Sequence, residues 1–256
     1  MNADAIARQC AASGAAVKVE VVAETGSTNA DLMARLPLPH HLVLIAERQT
    51  AGRGRAGRSW LSGEGSLTFS LAWKFHLPLH ALSGLPLAVG VALAETLGQL
   101  GVQVQLKWPN DVLKDGAKLA GVLIETQSSA DGVWAVIGVG MNLVMPDELE
   151  RRIGRPAAGA PWLAQMEREV LMAALVRQLA ASMEQFGQAG FGAFSARWNR
   201  LHAFQGSQVV IIDRGVTVEQ GVAAGVDDSG VLLLDTPAGR VPIIAGDVSL
   251  RALEPT

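Results

Sequence analysis

Leu67, Phe69, Leu71, Trp73 and Phe75 alternate with Ser66, Thr68, Ser70, Ala72 and Lys74. A repeat of two predicts a strand over 66–75 with one buried face and one wet face. Residues 82–100 are apolar nearly all round, which predicts a buried helix. Shorter strands are predicted at 17–22, 42–46, 104–107 and 133–139, and the alanine-rich first sixteen residues suit a helix. Ser27, Thr28 and Asn29 offer cap oxygens to a helical pattern over 31–36, which Pro37 and Pro39 stop. Trp108-Pro109-Asn110-Asp111 breaks a strand, because the residue before proline stays extended. Asp115-Gly116 predicts a tight hairpin joining 111–114 to 119–126. Leu163, Met166, Val170, Ala174, Leu179, Met183 and Phe186 recur at helical spacing, and a second short helix follows over 191–201.

From Gly206 the texture changes to short strands at 209–213, 216–222, 230–234, 240–244 and 248–250. Asp213-Arg214-Gly215 and Asp228-Ser229-Gly230 read as turns between them. About 50 residues of this kind suggest a small barrel with too little core to stand alone, docked on the larger part. The expected architecture is α+β: a catalytic-sized domain over 1–205 and a small β-domain over 206–256.

Composition narrows the classes. Of 256 residues, 49% are hydrophobic and 18% charged, which excludes a disordered chain. A net charge of -3 excludes a basic nucleic-acid coat. Cys10 is the single cysteine, so neither an internal disulfide nor a cysteine-only zinc site can form. The most apolar run, 85–94, contains Pro86 and Gly90, ends at Glu95 and reads as too short to cross a bilayer. The first residues lack a basic then apolar leader pattern, so a cytoplasmic protein is expected. His40, His41, His76, His80 and His202 show no metal-ligand spacing, so no metal site is expected.

Three segments carry chemistry. Gly52-Arg53-Gly54-Arg55-Ala56-Gly57-Arg58-Ser59-Trp60 combines backbones that approach a ligand closely with guanidinium forks suited to carboxylate and phosphate. Its arginines repel one another and its glycines raise the cost of order, so an open loop that an anion orders is expected. Alone, the segment reads slightly better as a solvated loop, or as an arginine–glycine RNA-binding segment. It lacks the ending of a phosphate-binding P-loop and the strand-to-helix context of a dinucleotide fingerprint. Lys107-Trp108-Pro109-Asn110-Asp111 precedes Lys118-Leu119-Ala120-Gly121. Period two places Lys118 on the apolar face of Ala120, Val122 and Ile124, a costly position unless an anion meets it or the side chain, at the strand end, snorkels to water. Gly121 leaves room beside it. Gly138-Val139-Gly140-Met141-Asn142 suits a strand that ends with an amide at a pocket floor, and equally a plain strand-to-loop turn.

In this order, with Glu24-Thr25-Gly26-Ser27-Thr28-Asn29 ahead of them, these segments resemble the biotin protein ligases. The resemblance implies a mixed sheet with packed helices, like class II aminoacyl-tRNA synthetases, followed by a small Src-homology-3-like β-barrel. It implies that biotin is activated by ATP as biotinyl-5'-adenylate and passed to one lysine of a biotin carboxyl carrier protein, such as a subunit of acetyl-CoA carboxylase. Magnesium would travel with the ATP phosphates. By position, Lys118, Arg53 and Arg55 would be catalytic. Ser27, Thr28, Asn29, Gln49, Gly52, Arg53, Gly54, Arg55, Lys118 and Gly121 would bind biotin. Arg55, Arg58, Trp60, Asn110, Lys118 and Asn142 would bind ATP, and Trp162 would stack on adenine if the 145–162 loop folds over it. Only about 20 residues precede the first motif, so neither a DNA-binding domain nor a DNA or membrane partner is implied; a homodimer is compatible. The loop departs from the family pattern at Ala56 and Ser59, where basic residues are common. A lipoate or octanoate ligase or transferase of the same fold is the alternative.

Overall fold

The alternation over 66–75 does form a strand, but both its faces are buried. A computed structural model describes residues 1–12, 14–63, 65–145, 150–151, 157–213, 215–244 and 248–252. In chain order they form α1 (Ala3–Ala11), β1 (Lys18–Thr25), α2 (Thr28–Arg35), β2 (Leu42–Gln49), β3 (Ser66–Phe75), α3 (Leu85–Gln99), β4 (Gln105–Lys107), β5 (Asp111–Lys114), β6 (Ala117–Ser129) and β7 (Gly132–Asn142). A helical turn, Pro161–Ala164, then precedes α4 (Arg168–Ala189), α5 (Gly192–Leu201), β8 (Gln208–Asp213), β9 (Val216–Val226), β10 (Leu232–Thr236), β11 (Gly239–Ile243) and β12 (Val248–Ala252).

The first seven strands make one sheet in the order β1-β2-β3-β7-β6-β5-β4. β1 and β2 are parallel, as the intervening α2 allows, and the other pairs are antiparallel. α1, α3, α4 and α5 pack together, and with Leu67, Phe69, Leu71 and Phe75 of β3 they bury the main core. α2 lies over β2, β3 and β7 on the other face, where Leu32, Leu42, Leu44, Ala72, Trp134 and Val136 form a second cluster. The half-wet β3 expected from alternation is therefore wrong. Its small polar residues sit under α2, where Thr68 donates to the Ala46 carbonyl at 3.0 Å.

The segment Leu79–Gln99 has the length and hydropathy to cross a membrane, longer than the run 85–94 suggested, but 67% of its most apolar window is buried inside the protein. α3 is a core helix, with eleven of its residues buried. The Asp115-Gly116 turn forms as expected, with φ of 51° and 77°, the left-handed pair that a two-residue hairpin needs. The strand it opens carries a bulge: Val112 pairs with Ala120 but Leu113 pairs with Lys118, leaving Leu119 over. This shifts Lys118 off the face read from period two. Ala120 and Val122 are buried in the core with Ile124 packed against it, whereas Lys118 reaches over Gly121, where an added carbon would lie 2.8 Å from its Nζ.

The last five strands form an antiparallel sheet in the order β11-β10-β9-β8-β12, with β11 and β12 as unpaired edges among the described residues rather than a closed ring. The sheet has no private core: Val209, Ile211, Ala223, Leu232, Leu234 and Leu250 belong to the main one. Polar ties reinforce the junction. Trp108 Nε1 donates to the Gly230 carbonyl at 3.2 Å, Ser195 to Asp228 at 2.6 Å, and Asn199 bonds both the N–H and the carbonyl of Val226.

Candidate active site

β6 and β7 meet in register at Gly121 and Gly140, with Gly138 two residues further along. Three missing side chains leave a hollow on the α2 side of the sheet, and neighbouring groups fill it. A methyl group at Gly138 would overlap the Asn29 amide, and one at Gly140 would overlap the Trp60 indole. At Gly121 the added carbon would lie 2.8 Å from Lys118 Nζ. The cleft above this floor has a volume of about 520 Å³.

One end of the cleft is lined by the uncharged polar side chains of Ser27, Thr28, Asn29 and Gln49. Ser27 caps α2 by accepting from the Ala30 N–H at 3.4 Å, which points the first turn of α2 at the cleft. Thr28 donates to Gln49 Oε1 through its N–H at 2.8 Å, and its hydroxyl oxygen lies 3.1 Å from the same atom. That hydroxyl lies 2.7 Å from Ser70 Oγ, which donates to Asn29 Oδ1 at 2.6 Å. Ser27, Thr28 and Asn29 are all at most 5% exposed, so this network, not water, satisfies them.

The arginine–glycine segment covers the cleft as a hairpin. Trp60 N–H donates to the Gly52 carbonyl at 2.9 Å, Gly54 N–H to that of Arg58 at 2.7 Å, and Arg53 and Ser59 form a bridge. Ala56 and Gly57 make the turn with φ of 53° and 69°. Carboxylates from neighbouring strands relieve the repulsion that the sequence implies: Glu24 pairs with Arg48 at 2.8 Å and Glu125 with Arg53 at 2.6 Å. Arg55 donates to Asn110 Oδ1 at 3.4 Å.

Lys118 sits between the polar end and the arginines. Its ammonium pairs with the Asp111 carboxylate, each side chain being 17% exposed, and lies 5.7 Å from the centre of the Trp60 ring. Leu250, Arg251 and Ala252 of β12 and Phe204 complete the wall, so the C-terminal sheet reaches the cleft. Among the described residues no three His, Cys, Asp or Glu side chains are grouped to hold a metal ion.

Comparison with known proteins decides what kind of site this is. Residues 19–142 match the biotin/lipoate A/B protein ligase family, and residues 204–251 match the biotin protein ligase C-terminal domain. Over 248 residues the chain is 36% identical to the bifunctional ligase/repressor BirA of Escherichia coli, covering 92% of this chain and 75% of that one. It is 36% identical to the biotin--[acetyl-CoA-carboxylase] ligase of Mycobacterium tuberculosis, covering 90% and 88%. The chain belongs to the biotin protein ligase family. The biotin protein ligase of Aquifex aeolicus, solved in complex with biotin and ATP, superimposes with a TM-score of 0.76 at 28% identity over 92% of this chain and 99% of that one. These relatives favour biotin ligase chemistry over the lipoate alternative.

Most of the residues expected in a biotin ligase site do line this cleft: Ser27, Thr28, Asn29, Gln49, Arg53, Gly54, Arg55, Arg58, Trp60, Asn110, Lys118 and Gly121. Gly52 and Asn142 do not. Gly52 is buried in the hairpin, where an added carbon would lie 2.5 Å from the Trp60 carbonyl. Asn142 is 3% exposed at the end of β7, and its Oδ1 is buried without a hydrogen-bond partner. Trp162 is 61% exposed and away from the cleft lining; most of the loop before it lies outside the described residues. Sequence reading missed Ser70, Asp111 and Glu125. Ser70 was legible as the polar half of the β3 alternation, and Glu125 as a carboxylate at the same parity as Gly121; Asp111 stood within a quoted motif without a role.

Proposed function

We propose that this biotin protein ligase divides its cleft by chemistry. Ser27, Thr28, Asn29 and Gln49 hold the ureido ring of biotin, whose donors and acceptors need partners once buried. The apolar and glycine-floored middle takes the thiophane ring and chain, with Trp60 as its cover. Lys118 meets the biotin carboxylate and the α-phosphate of ATP, and Arg55, Arg58 and Asn110 face the nucleotide. Arg53 closes the loop over the pocket.

In the first step a biotin carboxylate oxygen bonds to the α-phosphorus and the bond to the bridging oxygen breaks, so pyrophosphate leaves with the electron pair. Charge gathers on one phosphate, and a fixed ammonium beside it favours the transition state without reorganising water. Magnesium comes with the ATP phosphates and neutralises part of their charge. In the second step the neutral amine of an acceptor lysine bonds to the acyl carbon of biotinyl-5'-adenylate. The acyl–oxygen bond breaks, AMP leaves and the nitrogen loses a proton. The acceptor is a biotin carboxyl carrier protein of acetyl-CoA carboxylase or a similar carboxylase, and the setting is the cytoplasm.

The observation that carries this reading is the place of Lys118, between a polar pocket and an arginine hairpin on a glycine floor. Pyrophosphate exchange into ATP tests it. Biotin should support exchange and lipoate should not; exchange with lipoate alone would favour the alternative.

A further inference from the structure

Glu125 lies on β6 four residues beyond Gly121, on the same side of the strand, and belongs to none of the segments that marked the site. Its Oε2 accepts from Asn29 Nδ2 at 3.0 Å and from Arg53 Nη2 at 2.6 Å. Asn29 Nδ2 also reaches the Leu123 carbonyl at 3.3 Å. The Asn29 Oδ1 accepts from the Ser70 hydroxyl, which leaves the Thr28 hydroxyl to donate to Ser70, while the Thr28 backbone N–H donates to Gln49 Oε1. One chain of hydrogen bonds thus runs from Gln49 through Thr28, Ser70, Asn29 and Glu125 to Arg53. It joins the polar end of the cleft to the hairpin that covers it.

The chemistry of the chain fixes its direction. An ionised carboxylate only accepts, so Glu125 holds the Asn29 amide with its NH₂ toward β6 and its oxygen toward Ser70. Arg53 carries a guanidinium that an anionic ligand would also attract. In this structure a carboxylate of the protein already engages it, on the polar side of the cleft. That geometry suits a latch on the hairpin better than a direct contact to phosphate.

We propose that Glu125 is a positioning residue of the ligase: it sets the orientation of the Asn29 amide in the pocket and latches Arg53, so that a formed pocket and a closed hairpin favour each other. The proposal rests on the biotin ligase reading of the site. The Arg53–Glu125 pair is partly exposed, with side chains 44% and 28% accessible, so it contributes little to global stability. Its effect falls on the opening of a short, glycine-rich segment, and therefore on how long biotinyl-adenylate stays bound.

The test is a double-mutant cycle on the full chain with Glu125→Gln, Arg53→Gln and both together. The readouts are the release rate of biotinyl-adenylate formed from biotin and ATP, and the melting temperature without ligand. Each single variant should release the adenylate about tenfold faster, the loss of one charge-assisted contact. The double variant should be no faster than the singles, because both remove one latch. Wild-type retention in Glu125→Gln, or effects that multiply in the double variant, would overturn the proposal. So would a lowered melting temperature with unchanged release, which marks a merely structural residue. Should Glu125→Gln fail to fold, Arg53→Gln alone decides, and normal retention in it overturns the latch. A wild-type protein without biotin-dependent pyrophosphate exchange would instead remove the ligase reading itself.

Discussion

Gly121 and Gly140 face each other across the β6–β7 pair, and the space above them is taken from two directions, by the Lys118 ammonium and by the Trp60 indole. Two segments far apart in sequence thereby meet on one floor. A single methyl group is enough to disturb the meeting. Gly140→Ala should displace Trp60, a local overpacking that costs about 1–3 kcal/mol. We expect a raised KM for biotin with the fold retained, read by exchange kinetics and circular dichroism. An unchanged KM would mean that Trp60 does not cover the biotin site.

Lys118→Gln removes the cation at the centre of the cleft. Adenylate formation should fall on the order of 10²-fold or more. Asp111 then keeps a carboxylate that is only 17% exposed and has lost its cation, so the single variant should also melt earlier. Adding Asp111→Asn should recover the melting temperature but not the rate. Near-normal pyrophosphate exchange in Lys118→Gln would take the residue out of the mechanism.

The C-terminal sheet should be inseparable from the enzyme. Ile211 is fully buried in the main core, so Ile211→Ala should cost about 2–5 kcal/mol in thermal or urea melts. Removing everything from Gly206 onward should give a less stable protein with little transfer activity, because β12 also walls the cleft. A truncated protein with full stability and full activity would contradict the shared core.

Acid should destabilise the fold through two histidines. Burial pushes the His202 imidazole below its ordinary pKa, with the Gln205 hydrogen bond opposing only in part. Burial also lowers His41, assisted by His40 and His76. Above about pH 6.5 these imidazoles are neutral whether the chain is folded or not. As pH falls through that value the unfolded chain binds protons that the folded protein refuses, so stability drops toward the lowered folded pKa values. Melts between pH 8 and 5 should show this, about 6.5 being the ordinary histidine pKa, and His202→Gln should flatten part of the slope. A flat wild-type profile would contradict it.

The hairpin offers trypsin Arg53, Arg55 and Arg58. Its latch and backbone bonds are few, and its glycines make opening cheap. Biotin with ATP should slow cleavage there strongly, as closure shields the reactive anhydride. Equal cutting with and without ligand would mean a loop that does not respond to the site.

Much of this was legible because local rules sufficed. Ser27 capped its helix, Asp115-Gly116 made its turn, and the apolar 82–100 stretch became a core helix. Failures arose where the tertiary fold decides. β3 read as half-wet because alternation cannot show that α2 covers its polar face. Lys118 was placed on the wrong face because a bulge at Leu119 resets the period of two. Asp111 and Glu125 were passed over because their partners, Lys118 and Arg53, come from other segments of the chain. Gly52 and Asn142 do not line the cleft themselves: one closes the hairpin that covers it, and the other ends β7 two residues past Gly140.

The most direct measurement is transfer itself. The full chain is mixed with biotin, magnesium-ATP and an apo carrier domain, and the carrier is weighed by intact mass spectrometry. A biotin ligase adds one biotin to the carrier only when ATP and biotin are both present, and Lys118→Gln adds it far more slowly. A carrier left unmodified by the wild-type protein, or modified equally well by Lys118→Gln, would contradict the account.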